Sequence, residues 1–415
     1  MRRLFAHHDA RLYLSGQVLS SIGDSSLWLA LGIWVKILTH SNSEAGLVFG
    51  FFACGLLLAP VCGLIADRLP RKPLLTGVNL ATAAVVISLL FVHSKDQVWL
   101  IYAVMFAYGV ANTLLSSAQT ALLAVMVPRE LLGEANMVLQ IGSQGTRIFT
   151  PLLGAGLLAW IGATPVIVLD AATFLAAAAA TASLHIREVP AKPRKPWKTE
   201  FTAGIRWALP NPLLRRLLVT FVISLSVFGF IETIAYAIVG QGLHRNPPFL
   251  GVLLAVLAGG AIAGALTAAP LMSKTSERTA IAVGIGTCAI ACLLLAASLL
   301  PLIIVGAVLL GVSMSFVNVA SATLLQRRTP TEILGRVESA LGFAATLPQV
   351  LSIVLGAALI TFVNYRLLLI IMAAGMVAAG AYLIGEPAGA DRTATSPVAE
   401  PAAQSRIRNA PPVPD

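Results

Sequence analysis

Long uninterrupted apolar runs constrain the fold of this chain more than any other feature. Twelve such runs occur, each longer than 20 residues, and about 20 residues is the length that an α-helix needs to cross the hydrocarbon core of a bilayer. Backbone polar groups in hydrocarbon must bond within their own segment, so these runs are predicted to be helices rather than strands. The predicted spans are 12–37, 45–66, 73–93, 98–126, 137–161, 164–186, 213–241, 249–272, 279–299, 301–325, 337–362 and 364–385.

The composition excludes a soluble globular protein. Hydrophobic residues make up 57% of the 415 residues and charged residues only 11%, whereas a soluble protein carries about 25% charged residues. So little charge would leave a large apolar surface in water. We therefore predict an all-α, multi-pass protein of the cell (plasma or inner) membrane. Its predicted parts are a cytoplasmic N-terminus (1–11), an N-terminal six-helix bundle (12–186), a basic cytoplasmic linker (187–212), a C-terminal six-helix bundle (213–385) and a disordered cytoplasmic tail (386–415).

The net charge of +10 is compatible with nucleic-acid binding or with the positive-inside rule of membrane proteins. Its distribution favours the second. With the N-terminus inside, 23 of the 28 Lys and Arg residues fall on the cytoplasmic side, four on the outer side and Arg147 within a span. This asymmetry predicts an even number of spans, both termini in the cytoplasm and no nucleic-acid partner. The first apolar run continues for a full span, so we expect it to be retained rather than cleaved as a signal.

The two halves of the chain resemble each other. The segment 109–139 aligns with a segment 202 residues later, so that Gly109 matches Gly311, and a slightly larger offset relates Gly55 to Gly260. Six helices are thus followed by six related helices in the same orientation. Parallel repeats of this kind, related by an axis along the membrane normal, form one class of transporters. The substrate path is then expected between the halves near the midplane, with alternating access by rocking of one half against the other.

A basic segment between the second and third predicted spans is more structured than a plain loop. It contains Gly63, Asp67, Arg68, Arg71 and Lys72. Glycine lets helices approach closely, and the acid can cap a helix start or pair with a nearby arginine. The segment resembles motif A of the major facilitator superfamily, and this resemblance implies a latch at the cytoplasmic gate. The corresponding region of the second half lacks the acid.

Further short patterns resemble the third group of drug:proton antiporters in that superfamily, which includes macrolide-efflux and enterobactin-exporter-like proteins. Pro151 and Gly154 in the fifth span look like antiporter motif C, although Thr150 replaces the usual glycine. Pro151 removes a backbone donor and is expected to bend the helix; a structural kink is the alternative to a role in exchange direction. The other segments that carry the resemblance are 16–17, 21–24, 127–136, 170–174, 204–207, 211–215 and 334–337.

The resemblance implies a major facilitator fold, with twelve helices in two six-helix bundles related by a pseudo-twofold axis. It implies secondary active transport, and the first expectation is proton-coupled efflux of drugs or amphipathic small molecules. A dedicated exporter of one metabolite, such as a siderophore, is the alternative, and nutrient uptake is the third. The expected partners are an amphipathic or cationic small molecule, protons and the lipid bilayer. We expect a monomer without a cofactor.

Charged residues inside spans are costly and are therefore functional candidates. Three acids, Asp24, Asp170 and Glu232, and one base, Arg147, lie well within spans. A rise of about 1.5 Å per residue puts Asp24 and Arg147 near the midplane, and the resemblance implies that the first and fifth helices are neighbours. We hypothesise that Asp24 pairs with Arg147 and takes up a proton when the pair loosens. A static ion pair is the alternative.

The two other acids lie nearer the outer face. Glu232 could meet a cationic substrate or a proton, but we favour contact with the wet interface. For Asp170 we favour a hydrogen-bonded structural role. Polar candidates for a substrate lining are Gln17, Asn112, Gln119, Tyr236, Asn318 and Gln349, and candidates for adaptable apolar contact are Trp28, Tyr108, Phe228 and Met314.

Catalytic constellations are missing from the sequence. It contains no Gly-x-x-x-x-Gly-Lys-Ser/Thr phosphate loop, no His/Glu metal cluster and no nucleophile elbow. Cys288 and Cys292 share a helix face but lack His or acidic companions, so apolar packing is favoured over metal binding. We therefore predict neither an enzyme nor a metal site. A receptor or scaffold without transport is the remaining alternative class.

Overall fold

The computed structural model describes residues 7–128, 131–185, 202, 205–207 and 209–385, with only the backbone at some positions within these ranges. Helices and short connections account for all of the described residues. The predicted linker 187–212 lies mostly outside the described ranges, and the predicted tail 386–415 lies entirely outside them. Neither is therefore part of the description below.

Twelve helical spans occur in the described part of the chain, one for each predicted run, and their ends lie within about six residues of the predicted ends. Ten are long and apolar enough to cross a membrane, and a bent pair makes an eleventh. The remaining helix, α5, is apolar from Thr150 to Trp160. The spans are α1 (His8–Thr39), α2 (Asn42–Leu56 with Ala59–Arg68), α3 (Arg71–Ile87), α4 (Val98–Met126), α5 (Leu132–Trp160), α6 (Ala163–Ala182), α7 (Pro212–Ala237), α8 (Phe249–Lys274), α9 (Glu277–Leu295), α10 (Leu300–Arg328), α11 (Thr331–Leu359) and α12 (Tyr365–Ile384).

Side-chain caps fix where several helices begin. The hydroxyl groups of Ser41 and Ser276 accept bonds from backbone N–H groups in the first turns of α2 and α9. The amide oxygens of Asn211 and Asn364 do the same for α7 and α12. Each cap satisfies a backbone donor that has no partner within the helix. These residues therefore mark helix starts that the hydropathy alone locates only approximately.

The second span is broken rather than straight. Its two segments meet at an angle of 46°, across Leu57 and Leu58. Pro60 lies in the first turn of the second segment, where its missing N–H cannot continue the hydrogen-bond ladder of the first segment. The bend thus has a local cause in the sequence.

The helices pack as two six-helix bundles with the same internal arrangement. In the first bundle α1 packs against α5 and α6, α2 against α4, and α3 against α4 and α6; the second bundle repeats these pairs six helices later. Glycines at equivalent crossings show the repeat in atomic detail. A Cβ atom built on Gly109 would stand 3.1 Å from the Cα of Gly55, and one built on Gly311 would stand 3.0 Å from the carbonyl carbon of Gly260. The predicted internal repeat therefore corresponds to a repeated helix packing.

The two bundles meet through α2 against α7 and α11, and through α5 against α8. A Cβ atom on Gly46 would lie 2.5 Å from the Cγ2 of Thr233, and one on Gly251 would lie 2.8 Å from the Cβ of Ala155. All four residues lie toward the helix ends that the charge distribution assigns to the outer side. We call this contact the outer seam, and it closes the space between the bundles on that side.

Candidate functional site

A cavity of about 240 Å³ lies between the bundles, on the cytoplasmic side of the outer seam. Of the described residues that line it, three come from the N-terminal bundle and the others come from the C-terminal bundle. Its walls are formed by Trp28, Leu29, Phe49, Phe221, Ser224, Leu225, Phe228, Ile231, Glu232, Ala235, Leu250, Leu254, Leu257, Leu310, Met314, Val317, Asn318 and Gln349. Its position is the one that the internal repeat predicts for a substrate path.

One face of α7 forms a large part of the wall. Phe221, Leu225, Phe228, Glu232 and Ala235 follow one another at intervals of three or four residues. This spacing places side chains above one another on a helix surface. The face is apolar except at its outer end, where the carboxyl group of Glu232 enters the cavity wall.

Aromatic rings close the opposite wall. The rings of Trp28 and Phe49 are 4.5 Å apart between centroids, and Phe49 stacks on Tyr236 at 6.3 Å. Tyr236 itself is buried and its hydroxyl group lies against Gly32. Tyr236 is therefore not in the wall of this cavity, and its predicted contact with a substrate stays a prediction. Its bulk fills the space behind Phe49, where a glycine on α1 leaves room for it.

The polar groups of the cavity wall are few. Ser224, Asn318 and Gln349 are neutral, and among the described lining residues only Glu232 carries an ionisable side chain. The expectation that Glu232 reaches the outer interface is wrong, because α7 turns this side chain toward the space between the bundles. Asn318, Gln349 and the predicted apolar contacts Trp28, Phe228 and Met314 are all in the wall.

Three other predicted lining residues are not in the cavity wall. Gln17, Asn112 and Gln119 lie on α1 and α4, outside the set of residues that surround the cavity. Polarity within a span selected them, but polarity does not give the direction in which a helix face points. Only their neighbours in the fold decide that direction.

A second polar group lies inside the N-terminal bundle. The hydroxyl group of Tyr108 on α4 is 2.6 Å from Oδ1 of Asp24 on α1 and 3.4 Å from Oδ1 of Asp170 on α6. From the sequence, Tyr108 was a candidate for apolar contact with a substrate, and Asp170 was expected to have a separate hydrogen-bonded structural role. The side chain of Arg147, the predicted partner of Asp24, lies outside the described part of the structure, so that pairing stays a prediction.

The predicted contact between the first and fifth helices is confirmed. The hydroxyl oxygen of Ser26 on α1 is 3.2 Å from the carbonyl oxygen of Thr150 on α5. A Cβ atom on Gly154 would stand 2.8 Å from the carbonyl carbon of Ser26. Gly154 of the motif C-like segment therefore serves a close helix approach, one turn after Pro151 within α5.

The motif A-like residues surround the start of α3. Nothing in the described structure lies within 4 Å of a Cβ atom built on Gly63, so the expected close approach at this glycine is wrong for this conformation. Arg68 is exposed, and Lys72 donates to the carbonyl oxygen of Leu184 at 2.7 Å. The side chain of Asp67 lies outside the described part, and its pairing with Arg71 stays a prediction.

The second bundle contains a similar contact that the sequence analysis missed. Arg278, near the start of α9, donates from Nε to the carbonyl oxygen of Leu383 at the end of α12, at 2.8 Å. Lys72 and Leu184 have the same relation between α3 and the end of α6. In both bundles a cation thus bonds to a carbonyl group at or just after the end of the sixth helix, where the helix dipole also favours positive charge. The sequence feature that could have predicted both contacts is a basic residue shortly after the second helix of each bundle, Lys72 after α2 and Arg278 after α8.

Comparison with known families agrees with this architecture. The family model of the Major Facilitator Superfamily matches residues 13–236 and again residues 216–413. The two matches correspond to the two halves of the internal repeat. Together they cover nearly the whole chain.

Two kinds of curated relatives are similar along most of their length. An uncharacterized MFS-type transporter of Bacillus subtilis, YfiS, is 24% identical over 369 residues, covering 85% of this chain and 87% of that protein. The enterobactin exporter EntS of Citrobacter koseri is 24% identical over 346 residues, covering 80% and 81%. The corresponding exporter of Escherichia coli O127:H6 is 25% identical over 349 residues, with the same shares covered.

Solved structures share the fold at low sequence identity. The nucleoside transporter NupG superposes with a TM-score of 0.72 at 13% identity, over 91% of this chain and 98% of that chain. A bacterial homologue of the iron transporter ferroportin, in an inward-facing state, gives 0.69 at 14% identity, over 91% and 98%. The repeat, the helix packing, the cavity between the bundles and these matches lead to one assignment: the chain belongs to the major facilitator superfamily and is a multi-pass transporter of the inner membrane.

Proposed function

We propose that this transporter exports amphipathic organic cations, driven by the proton gradient, through alternating access. The observation that carries the proposal is the cavity between the bundles. Its described lining residues are apolar and aromatic except for one carboxyl group and a few neutral polar groups. Binding sites for small molecules have this character, with a few polar groups that orient the ligand.

The apolar wall favours a substrate with a hydrophobic body. Phe221, Phe228, Met314 and the Trp28–Phe49 pair offer adaptable surface, and aromatic faces also attract organic cations. The volume of about 240 Å³ lies below the range of roughly 300–1,000 Å³ of typical ligand pockets. A compact molecule, or the apolar part of a larger one, therefore fits best in this conformation.

The charge of the wall favours a cation over an anion. Glu232 is acidic, and no Lys or Arg belongs to the described residues of the wall. A carboxylate in an apolar site is stabilised by a paired positive charge, whereas an anionic substrate would add repulsion without a compensating partner. Glu232 is thus proposed as the residue that selects the charge of the substrate.

The closed outer seam supports loading from the cytoplasm. In this conformation Gly46 and Gly251 pack against the opposite bundle toward the outer helix ends, and the cavity lies on the cytoplasmic side of them. Opening of the seam with closure of the cytoplasmic side would present the same cavity to the exterior. Export rather than uptake is proposed because the chain is similar along most of its length to proteins named as exporters.

A second candidate is a dedicated exporter of a single siderophore. It is favoured by the relatives named enterobactin exporters, which are 24–25% identical over about 80% of both chains. The two candidates differ in the range and charge of their substrates. A panel of lipophilic cations, neutral isosteres and siderophores, offered to proteoliposomes with an imposed pH gradient, separates them.

The decisive variant is Glu232→Gln, which keeps the shape of the side chain but removes its charge. The KM for a fluorescent lipophilic monocation is expected to rise about tenfold or more, equivalent to about 1.4 kcal/mol of binding. The KM for a neutral isostere should stay within about twofold, because apolar contact is unchanged.

Asp96→Asn is the matched control, because Asp96 is an exposed acid outside the cavity. It should leave both substrates unaffected. Equal KM values for the monocation in the Glu232→Gln variant and the wild type would refute the assignment. Transport of siderophores alone by the wild type would favour the second candidate.

A further inference from the structure

Two carboxyl groups and one phenol meet at the centre of the N-terminal bundle. Tyr108 lies 2.6 Å from Asp24 and 3.4 Å from Asp170, measured from its hydroxyl oxygen to each Oδ1. The three residues come from α4, α1 and α6. The ring of Tyr108 is held by an edge contact with Phe174 at 5.6 Å, so the position of its hydroxyl group is fixed by packing.

The hydrogen count at this cluster points to an additional proton. A phenol has one hydrogen to donate, and an ionised carboxylate can only accept. The hydroxyl group of Tyr108 therefore serves only one of its two neighbours as a donor. If both aspartates were ionised, one carboxylate would face the phenol oxygen without a hydrogen between them.

The burial of Asp170 also indicates that this residue carries the additional proton. The residue is 0% exposed, and its second oxygen, Oδ2, is buried without a hydrogen-bond partner among the described residues. An ionised carboxylate in that state would lose its hydration and gain almost no bonds in return. A protonated Asp170 can instead donate its own hydrogen to the oxygen of Tyr108.

We propose that Asp24, Tyr108 and Asp170 form a single-proton site that stores and passes on the proton driving transport. In its resting arrangement Asp170–OH donates to the oxygen of Tyr108, and Tyr108–OH donates to ionised Asp24. Transfer moves the hydrogen of Asp170 to Tyr108 while the hydrogen of Tyr108 moves to Asp24. One O–H bond breaks and one forms at the phenol, so Tyr108 stays neutral and the cluster keeps one proton and one negative charge.

The α1 helix connects this cluster to the cavity. Asp24 is partly exposed, unlike Asp170, and Trp28, one turn further along the same face, lines the cavity. Gly23 packs directly on Asp170, since a Cβ atom there would stand 2.9 Å from the Cα of Asp170. Movement of the negative charge between Asp24 and Asp170 can therefore shift α1 and, with it, Trp28.

The helices packed against α1 within its bundle are α2, α4, α5 and α6. The acidic, basic or phenolic residues that these helices place in the middle of the bundle are Tyr108, Asp170 and Arg147. The side chain of Arg147 lies outside the described structure, and the proposal assigns it no role. Glu232 belongs to the cavity, so substrate and proton are held at separate sites. This part of the inference rests on the proposed function.

Infrared spectroscopy of the purified protein tests the site without any substrate. A protonated carboxyl group has a C=O stretching band that a carboxylate lacks. The wild type should show this band at neutral pH. Asp170→Asn should remove it, because the remaining Asp24 is ionised and accepts from Tyr108, and Asp24→Asn should shift it, because Tyr108 then donates to a neutral amide instead of a carboxylate. Tyr108→Phe should shift the band by removing its hydrogen-bond partner. Tyr102→Phe, on the same helix, is the matched control and should leave the band unchanged.

Comparison of the Glu232→Gln variant with the wild type shows how much of that band comes from the carboxyl group of Glu232 in the cavity. If the band persists unshifted in Asp24→Asn, Asp170→Asn and Tyr108→Phe, the single-proton site is wrong. If the band responds as expected, the protons of the cluster are shared as proposed, whatever the substrate of the transporter.

Transport by the same variants tests the coupling. In proteoliposomes, Tyr108→Phe should reduce pH-gradient-driven movement of the lipophilic monocation by about tenfold or more, while exchange without a gradient stays within about twofold of the wild type. Retained exchange also shows that the variant is folded. A Tyr108→Phe protein that responds fully to the gradient would overturn the coupling role. A wild type that moves no monocation in either assay, but keeps the infrared response, would refute the proposed function instead.

Discussion

Gly23 decides how closely α1 can approach α6. A Cβ atom at this position would collide with Oγ1 of Thr173 and stand 2.5 Å from Oδ1 of Asp170. These atoms belong to short, buried side chains that have little freedom to move aside. Any side chain larger than glycine therefore overpacks this crossing, which lies next to the Asp24–Tyr108–Asp170 cluster.

Gly23→Ala is expected to destabilise the protein by about 1–3 kcal/mol, because the extra methyl group overpacks the crossing. Thermal unfolding in detergent measures the effect. Gly77→Ala on α3 is the control, since nothing in the described structure lies within 4 Å of a Cβ atom there. That variant should be neutral or slightly more stable, because alanine favours a helix by up to about 1 kcal/mol over glycine. Equal loss of stability in both variants would contradict the role of the crossing.

Sequence reasoning identified the intramembrane acids but not their partners. Asp24, Asp170 and Glu232 were candidates because charge inside a span is rare and costly. The meeting of Asp24 with Tyr108 and Asp170 depends on contacts between three helices, and a phenol resembles any other aromatic residue in a hydropathy pattern. The face of α7 that lines the cavity was predictable from the sequence, since the spacing of Phe221, Phe228 and Glu232 places them on one side of a helix.

At the scale of the helix, positive side chains bonded to C-terminal carbonyl groups tie each bundle together. Arg278 bonds to the carbonyl oxygen of Leu383, and Arg216 bonds to that of Tyr382. The end of α12 is thereby held by the starts of α9 and α7. The same kind of contact, between Lys72 and Leu184, holds the end of α6 in the first bundle.

Arg278→Met should loosen the end of α12 while keeping most of the apolar stem of the side chain. A hydrogen bond from a charged donor contributes about 1.5–3 kcal/mol to stability when buried. Because this position is partly exposed, the free energy of unfolding measured in detergent should fall by about 1 kcal/mol. Hydrogen exchange at the last turn of α12 should rise in the same variant. Lys274→Met, which changes an exposed base in the same loop region, should leave both measurements unchanged; an equal response would count against the contact.

Helices were the most predictable elements, and their irregularities the least. Length and apolarity of the runs fix the twelve spans because hydrocarbon excludes unpaired backbone groups. The break in α2 at Leu57 and Leu58 lies inside an apolar run, and hydropathy does not record it. Pro60 was the available signal, although a proline within a membrane helix does not by itself show how sharply the helix bends.

On the scale of the whole molecule, the outer seam sets the conformation. Gly251 on α8 contacts Ala155 on α5 across the two bundles, and Gly46 on α2 contacts Thr233 on α7. These close contacts exist only while the outer ends of the two bundles are packed against each other. The balance between the two access states should therefore be sensitive to side-chain volume at these glycines.

Gly251→Leu is expected to favour the outward-open state, because a leucine side chain cannot fit against Ala155 in the closed seam. A shift of about 1.4 kcal/mol would raise the outward-open population, while it is the minor state, about tenfold. The measurement is labelling of Asn318→Cys by a membrane-impermeant thiol reagent from the outside, with Cys54, Cys62, Cys288 and Cys292 replaced.

Gly259→Leu on the same helix is the matched control, since a Cβ atom at Gly259 meets nothing within 4 Å in the described structure. Labelling in that variant should equal that of the unsubstituted background. If Gly251→Leu labels no faster than Gly259→Leu, the outer seam does not control access from outside.

The cavity wall is unequally divided between the repeats. Among the described lining residues, most come from α7, α8, α10 and α11, and Trp28, Leu29 and Phe49 are the ones from the first repeat. The described ligand contacts are thus concentrated in the second half, whereas the Asp24–Tyr108–Asp170 cluster lies entirely in the first half. Resistance or substrate-range variants selected in the laboratory should accordingly map to the second repeat, and exchanging that half between related transporters should carry the substrate range with it.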